Sequence, residues 1–474
     1  MMKSPTAKIL VIALCVLILS ARAHAGLFFL FGEQSPKAMA TAGAGTAAFG
    51  TEDAATIYYN PAGMSFLEGP TATLGLATLF ASGKFSNEGT NSAGFPTTGG
   101  TGGNGGVPGK KFFGQTVPSV YISSPIGHRL WVGLGLNAPF ALETNFDPTS
   151  VLRYQAINSR ATSVLLNPAV AFKVSDDFSI GAGFDIQYTD AGFSNAIDFG
   201  LLGAAAGFND IPGQPFGGFA PNQRDGKVHV KGNDIGYGFN VGVLYRLPNG
   251  TRLGLSYRHN IEFDLEGRSD FTNVPAPFTD PAIAGATFRD QATNAPLNLP
   301  ASVSFSIVQP VGKSFELLGD VTYTGWSSFD KIQVQFSEPG VGESSQFLNH
   351  ENVFRFALGA RYKTKYGLSV AAGVAYDESP VPDAQRRTPR LPDSDRIIAS
   401  VGLTYAFSDR IEASIGYMHY FFDDAPVNNT NAFSQTVRGN FDNSFDIVGT
   451  SVTIRFGGPP APSRSTVDEK GYRK

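Results

Sequence analysis

Few residues in this 474-residue chain carry the spacing that covalent or metal chemistry requires. Beyond the N-terminal leader, the histidines are His128, His229, His259, His350 and His419. They are scattered and lack metal-ligand spacing. The only cysteine, Cys15, falls in the leader, so no disulfide or thiolate site is expected. Gly100-Thr101-Gly102-Gly103-Asn104-Gly105 has the spacing that lets a backbone approach a pyrophosphate. It sits in the low-complexity stretch 94–109 with no strand–helix context, so the match is chance. There is no Gly-x-Ser-x-Gly elbow. The acidic pairs Glu52-Asp53, Asp176-Asp177 and Asp423-Asp424 read as turn residues. No basic patch suggests nucleic acid. The expectation is a protein without catalytic residues, metal or cofactor. What remains is apolar chemistry. Residues 27–31 place Phe28, Phe29 and Phe31 near a free N-terminus, where they need an apolar site, either a packing surface or a hydrophobic small-molecule ligand. Phe193, Phe199, Phe208, Phe216, Phe219, Phe271, Phe278 and Phe288 crowd two long loops. They form either a greasy capture groove or packing that holds the loops together.

These residues must be positioned by an unusual set of elements. Residues 1–25 read as a secretory signal, with Lys3 and Lys8 before an apolar run at 9–19 and a small-x-small site at Ala23-His24-Ala25. The run is too short to span a bilayer comfortably. Residues 26–67 are apolar and rich in Ala and Gly, and their ends do not alternate like strands. They are expected to fill the inside of the rest as a plug (hatch). A short helix around 36–42 fits, and Asn60-Pro61-Ala62-Gly63 reads as a turn.

From residue 68 to 456 the pattern has period two. In 178–189, Phe178, Ile180, Ala182, Phe184, Ile186 and Tyr188 oppose Ser179, Gly181, Gly183, Asp185, Gln187 and Thr189. Residues 251–263 and 397–407 repeat this. Roughly fourteen such strands are long enough to cross a membrane at a tilt. Short turns (124–129, 175–177, 248–250, 310–313, 364–367, 408–410) take turns with long segments (84–114, 138–158, 191–231, 267–298, 337–350, 379–394, 425–439). That rhythm is the outer-membrane one, with tight periplasmic turns and longer outside loops. Charged residues are only 16% of the chain, against about 25% in ordinary globular proteins. The fold class is therefore all-β, a 14-stranded antiparallel transmembrane β-barrel with an N-terminal plug in its lumen. Residues 457–474 read as a disordered, Pro-rich charged tail. The localisation expected is a Gram-negative outer membrane, with lipid and lipopolysaccharide as neighbours and a monomeric state.

Several stretches then resemble the FadL/TodX-type outer-membrane transporters of long-chain fatty acids and hydrocarbons. They include Asp53-Ala54-Ala55-Thr56-Ile57-Tyr58-Tyr59-Asn60-Pro61-Ala62-Gly63, Asn137-Ala138-Pro139-Phe140, Arg153-Tyr154-Gln155-Ala156 and Tyr323-Thr324-Gly325-Trp326-Ser327. Tyr376-Asp377-Glu378-Ser379-Pro380-Val381 and Leu391-Pro392-Asp393-Ser394-Asp395-Arg396 follow. The resemblance covers nearly the whole chain after the leader. It implies passive uptake: capture in an outer-loop groove, transfer to a pocket against the plug, and sideways exit through a gap in the wall. By similarity the gap maps onto 129–137, where Gly133 and Gly135 favour a kink. Fatty-acid members hold the carboxylate with lumen cations, but this chain has no Lys or Arg between Lys173 and Arg224. Candidate substitutes are Lys331, which shares a face with Gln333 and Gln335, and Arg153, Arg252 and Arg258; each of the four reads equally as a solvated or structurally paired lumen residue, which leaves uncharged hydrocarbons open as substrates. The ligand-binding set expected is Phe28, Phe29, Phe31, Phe208, Phe216, Phe219 and Lys331. The plug turn is Asn60, Pro61 and Ala62. A general porin and an outer-membrane lipid hydrolase are the alternatives.

Overall fold

The computed structural model describes residues 34–49, 53–99, 116–210, 218–280, 288–338 and 343–457. The leader, Phe28, Phe29, Phe31, Phe216 and the tail after residue 457 lie outside the described residues. Alternation decides the architecture, because it lets one face of every strand meet lipid and the other meet the interior. Fourteen strands follow in chain order. They are β1 (Thr71–Asn87), β2 (Thr116–Ile126), β3 (Leu130–Asn137 with Ala141–Asn145), β4 (Asn158–Lys173) and β5 (Phe178–Asp198). Next come β6 (Asp225–Arg246), β7 (Arg252–Arg258 with Ile261–Thr272), β8 (Gln291–Leu299 with Ser302–Val311) and β9 (Phe315–Thr324 with Lys331–Phe336). The ring is completed by β10 (Glu343–Phe347 with Val353–Lys363), β11 (Leu368–Asp377), β12 (Arg396–Ala406), β13 (Ile411–Phe422 with Ala425–Thr430) and β14 (Gln435–Arg455). Each pairs antiparallel with the next, and β14 pairs with β1 from Thr71↔Arg455 to Asn87↔Gly439. The barrel is therefore closed and has no free edge to manage.

On the outside, Ile180, Phe184, Tyr188, Tyr237, Phe305, Phe356, Leu358 and Val401 are exposed, as lipid-facing residues must be. Their strand neighbours Ser179, Asp185, Gln187, Ser306 and Asp320 are buried inside. Several stretches that read as loops are strand instead. β5 runs on to Asp198, β6 begins at Asp225, and Ala425–Thr430 folds back on β14, leaving only 431–434 as a turn. Their side chains are too polar and Gly-rich to show an apolar face, yet the backbone ladder continues above the membrane.

The inside of the ring is occupied by residues 34–49 and 53–67. Helix α1 (Pro36–Met39) is capped by Ser35, whose hydroxyl also donates to Asp53 at 3.0 Å. A 3₁₀ turn follows at Thr46–Ala48, then α2 (Thr56–Tyr59), then a second 3₁₀ turn, Pro61–Phe66, capped by Asn60. The segment is almost wholly buried. It lies against wall glycines around the circumference: Gly181 meets Ala62, Gly254 meets Ala47, Gly373 meets Thr41, Gly402 meets Ala40 and Gly416 meets Pro36. At Gly254 and Gly373 a Cβ would collide with the backbone of the inner segment. These glycines serve close approach of two backbones.

This contact gives a test. Gly254→Val should leave a heat-modifiable, folded barrel but push the inner segment off the β7 wall. Trypsin should then cut after Lys37, which is buried in the native protein, and ion conductance in planar bilayers should rise several-fold. A silent, protease-resistant variant would show that the segment does not depend on this contact.

Candidate functional site

A cavity of about 530 Å³ lies among the outer loops and is mostly apolar. Phe193, Phe271, Phe288, Phe336, Val334 and Phe433 contribute its greasy walls. A second, smaller cavity of about 100 Å³ is lined by Leu142, Ala161, Leu265, Leu297, Phe329 and Leu391. The two share Phe193, Val230, Ile332 and Arg390, so they lie in series with one cation at the junction. A pair of apolar compartments with few polar groups is the form of a binding site for a hydrophobic ligand.

Arg390 stands in the loop between β11 and β12, and that loop is built to hold it. Asp383 accepts the amides of Gln385 and Arg386 at 2.8 Å each. Arg387 donates to the Asp393 carbonyl at 2.7 Å, and Thr388 pairs with Leu391 across a tight turn. The Arg390 guanidinium donates to the Ser159 hydroxyl at 3.1 Å and to the Asn195 side-chain oxygen at 3.0 Å, and lies 4.3 Å over the Phe193 ring. Among the described residues it forms no ion pair. Burial alone pushes its pKa down to about 9, which leaves it cationic at neutral pH. A buried charge with no counter-charge is costly, and an incoming anion would relieve that cost.

Other lumen cations are held by the inner segment or by carboxylates of the wall and loops. Arg258 is paired with Asp185 and donates to the Tyr58 carbonyl at 2.7 Å. Arg252 donates to the Ala48 carbonyl at 3.1 Å, and Arg355 donates to the Ala42 carbonyl. Arg153 is bound by Asp225 at 2.7 Å and by the Thr98 carbonyl at 2.7 Å. Asn60 does more than form a turn. Its side-chain nitrogen donates to the Ala47 carbonyl at 2.7 Å and to Val243 of β6 at 2.9 Å, while its oxygen caps Ala62.

The wall departs from regular pairing at β3, but not where Gly133 and Gly135 suggested. Those glycines lie in a stretch paired on both sides, with β2 as far as Leu136 and with β4 through Asn137. A side chain at Gly133 would strike Met64 and Ile57, so the glycine makes room for the inner segment. The break comes at residues 138–140. Beyond it Ala141–Asn145 rejoins β4, while Thr116–Ser119 of β2 pairs only with β1. One extra residue on β3 makes this a bulge. Gln34 sits at the break, donating to the Ala138 carbonyl at 3.0 Å and accepting from Asn137 at 2.8 Å.

The structure does not bring the expected ligand set together. Lys331 lines neither cavity. The 3₁₀ turn Trp326–Ser328 interrupts β9 and resets its alternation, so that Ile332 and Val334 supply the cavity walls instead. Phe208 and Phe219 pack on each other at 5.9 Å, and with Phe199 and Phe278 they form a loop core. Arg390 was not singled out from the sequence. Its one signal was a cation in the Pro-rich run before Leu391-Pro392-Asp393. His419 comes nearest to a catalytic arrangement: its Nδ1 meets Asp446 at 2.7 Å, and the same oxygen accepts from Tyr417 at 2.6 Å. Among the described residues no serine bonds His419.

A closed 14-stranded barrel with an apolar exterior and an occupied interior defines the class as an outer-membrane β-barrel. The family model for outer membrane transport proteins (OMPP1/FadL/TodX) matches residues 16–456, and the chain belongs to that family. It is 30% identical to an outer membrane protein of Neisseria meningitidis, covering 92% of this chain and 96% of that one. It is also 30% identical to the long-chain fatty acid transport protein of Escherichia coli K12, over 62% of this chain and 67% of that one. The crystal structure of a Pseudomonas aeruginosa FadL homologue superposes with a TM-score of 0.81 at 25% identity, over 91% of this chain and all of that one. The Pseudomonas putida toluene transporter TodX has the same fold, with a TM-score of 0.64 at 16% identity over 92% of this chain and all of that one.

Beside the smaller cavity, His350 is wedged against Trp326 and Phe329, its ring 5.6 Å from the Phe329 ring. Neither ring nitrogen has a hydrogen-bond partner, and burial pushes its pKa from 6.5 down to about 4. The native state therefore binds this proton less readily than the unfolded chain. Stability should be full above pH 6.5 and fall by roughly 3 kcal/mol as pH drops to about 4. His350→Phe should flatten that part of the pH profile of the unfolding midpoint in detergent. An unchanged slope would mean that His350 is not the group responsible.

Proposed function

We propose that this protein carries long-chain fatty acids, or amphiphiles of the same monocarboxylate type, passively across the outer membrane. The observation that carries the reading is Arg390, a buried guanidinium with no counter-charge among the described residues, at the junction of two apolar cavities. The ligand enters the larger cavity among the outer loops, where each buried methylene contributes about 0.8 kcal/mol. Its carboxylate takes a fork of guanidinium hydrogen bonds, and its tail points along the apolar cluster of Leu142, Phe140 and Leu297 toward the break in β3. Residues 34–67 act as a plug. A shift at Gln34 would release Asn137 and Ala138 and open the bulge between β2 and β3 sideways into the lipid. No energy source beyond the concentration gradient is needed. The family's transport role and the 30% identity to a fatty acid transport protein support this reading. The expected setting is a monomer surrounded by outer-membrane lipid and lipopolysaccharide. A general porin fits poorly with a lumen occupied by a buried inner segment, and a lipid hydrolase would need a serine bonded to His419, which none of the described residues supplies.

Binding to the detergent-purified protein tests this. Wild type should bind oleate saturably. Arg390→Ala should weaken oleate by roughly ten- to a hundredfold, the worth of a charge-assisted hydrogen-bonded pair, and leave toluene binding within twofold. Arg390→Lys should fall between. Unchanged oleate affinity in Arg390→Ala would remove the carboxylate anchor. Loss of both ligands in wild type would remove the transport reading itself.

A further inference from the structure

The larger of the two cavities has two kinds of wall. Strands β5, β6 and β9 give it apolar side chains, among them Phe193, Val228, Val230, Val334 and Phe336. The tip of the β13–β14 hairpin, the turn before β4 and the loop between β11 and β12 give it amides: Gln155, Gln385, Asn429, Asn431 and Gln435. Two of these are spent on the hairpin tip itself. Asn431 donates to the Gln435 side chain at 2.8 Å, and its own oxygen accepts the backbone amides of Phe433 and Gln435 at 3.0 Å each. Gln155 and Asn429 differ. They are 3% and 5% exposed. The Gln155 side-chain nitrogen donates to the Asn429 and Gln435 carbonyls at 2.9 Å each, and that of Asn429 donates to the Gln385 carbonyl. Turning either amide over would set its oxygen against backbone carbonyls, so both orientations are fixed. The oxygens are left over: neither Gln155 Oε1 nor Asn429 Oδ1 meets a donor among the described residues.

We propose that this cavity selects acyl chains that bear a hydroxyl group, whose O–H donates to Gln155 Oε1 or Asn429 Oδ1. This selectivity rests on the fatty-acid reading above and names the kind of acid. A plain acyl chain filling the cavity cuts both oxygens off from water and offers them no donor, a cost paid by every ligand that lacks one. A hydroxyl on the chain supplies the donor with little bulk. An amide would supply one too, but it would bring a carbonyl oxygen that needs a donor of its own, and the nitrogens of Gln155 and Asn429 are already committed. Sites built to bond a ligand hydroxyl discriminate against the analogue without it, because their own buried polar groups then go unpaired. Arg390 lines the same cavity. Carboxylate and hydroxyl are therefore read in one chamber by different groups, the first by a cation and the second by neutral acceptors.

Competition against radiolabelled oleate on the detergent-purified full chain tests this. Ricinoleate, a hydroxylated oleate, is set against oleate, and a mid-chain hydroxystearate against stearate. Burial alone makes each hydroxy acid the weaker of its pair, since the hydroxyl must leave water. The unpaired oxygens reverse that order for at least one pair, by about tenfold. Gln155→Met with Asn429→Ala should bring the ratio to one or below, and Asn429→Ala alone, at the hairpin tip, should lower it part of the way. Both acids are measured on one preparation, so loss of folded protein cannot imitate a change in their ratio. Arg390→Ala should weaken acid and hydroxy acid alike and leave the ratio standing. Hydroxy acids that bind no better than their parents in wild type, or a preference that survives the double variant, overturn the proposal while leaving the fatty-acid reading in place. A preference lost in the double variant, with both acids unaffected by Arg390→Ala, supports the hydroxyl site and removes the carboxylate anchor instead.

Discussion

The structure depends on satisfying an irregular backbone inside a closed barrel. Residues 34–49 and 53–67 form two four-residue helices and two 3₁₀ turns, and several of their carbonyl and amide groups have their partner outside the segment, among them the Ala42, Ala48 and Tyr58 carbonyls and the Ala47 amide. Buried polar backbone without partners is expensive. The wall supplies what is missing. Arg252, Arg258 and Arg355 reach carbonyls, Ser306 accepts the Ala47 amide at 3.0 Å, and Asn240 reaches the Ile57 carbonyl at 3.1 Å. The wall glycines let the two backbones come close enough for this.

That demand explains how the lumen charges are distributed. Arginines within the barrel look like ligand anchors when counted from the sequence, yet Arg258 and Arg252 are drawn to carbonyls of the inner segment and to Asp185 and Glu316. The cation left at an apolar boundary is outside the strands altogether, on a loop stiffened by Pro380, Pro382, Pro389 and Pro392. A rigid loop can hold a buried charge in place without a counter-charge where a mobile one would turn it out to water. Affinity there must stay moderate if a ligand is to leave, which suits one guanidinium better than a cluster.

The same segment also closes the wall. Where β3 leaves β2, the inner segment's Gln34 donates to the Ala138 carbonyl, a group that a neighbouring strand would otherwise bond, and accepts from the Asn137 side chain. Wall and interior are thereby coupled: a movement at Gln34 is felt at the β3 bulge, where pairing with β2 ends. Gly133 and Gly135, below the break, serve the packing of Ile57 and Met64 and keep that part of the wall flat against the segment.

Periodicity determined the barrel from the sequence alone, because lipid on one side and a filled lumen on the other force every strand to alternate. Fourteen strands, the order of short turns and the filled interior were all legible in this way. So was the turn at Asn60, since Asn before Pro has few other roles, though its bond to Val243 was not. Strand extensions above the membrane were hidden because they meet water on both faces and need not alternate. The candidate site was hidden for a different reason. Lys331 and Arg390 are equally basic in the sequence. Only the register reset at Trp326–Ser328, and the folding of the 379–394 loop over Phe193, decide that the first faces away from the cavities and the second lies between them. Charge can be read from one residue, but the lack of a counter-charge is a property of everything that surrounds it, and that exists only once the chain is folded.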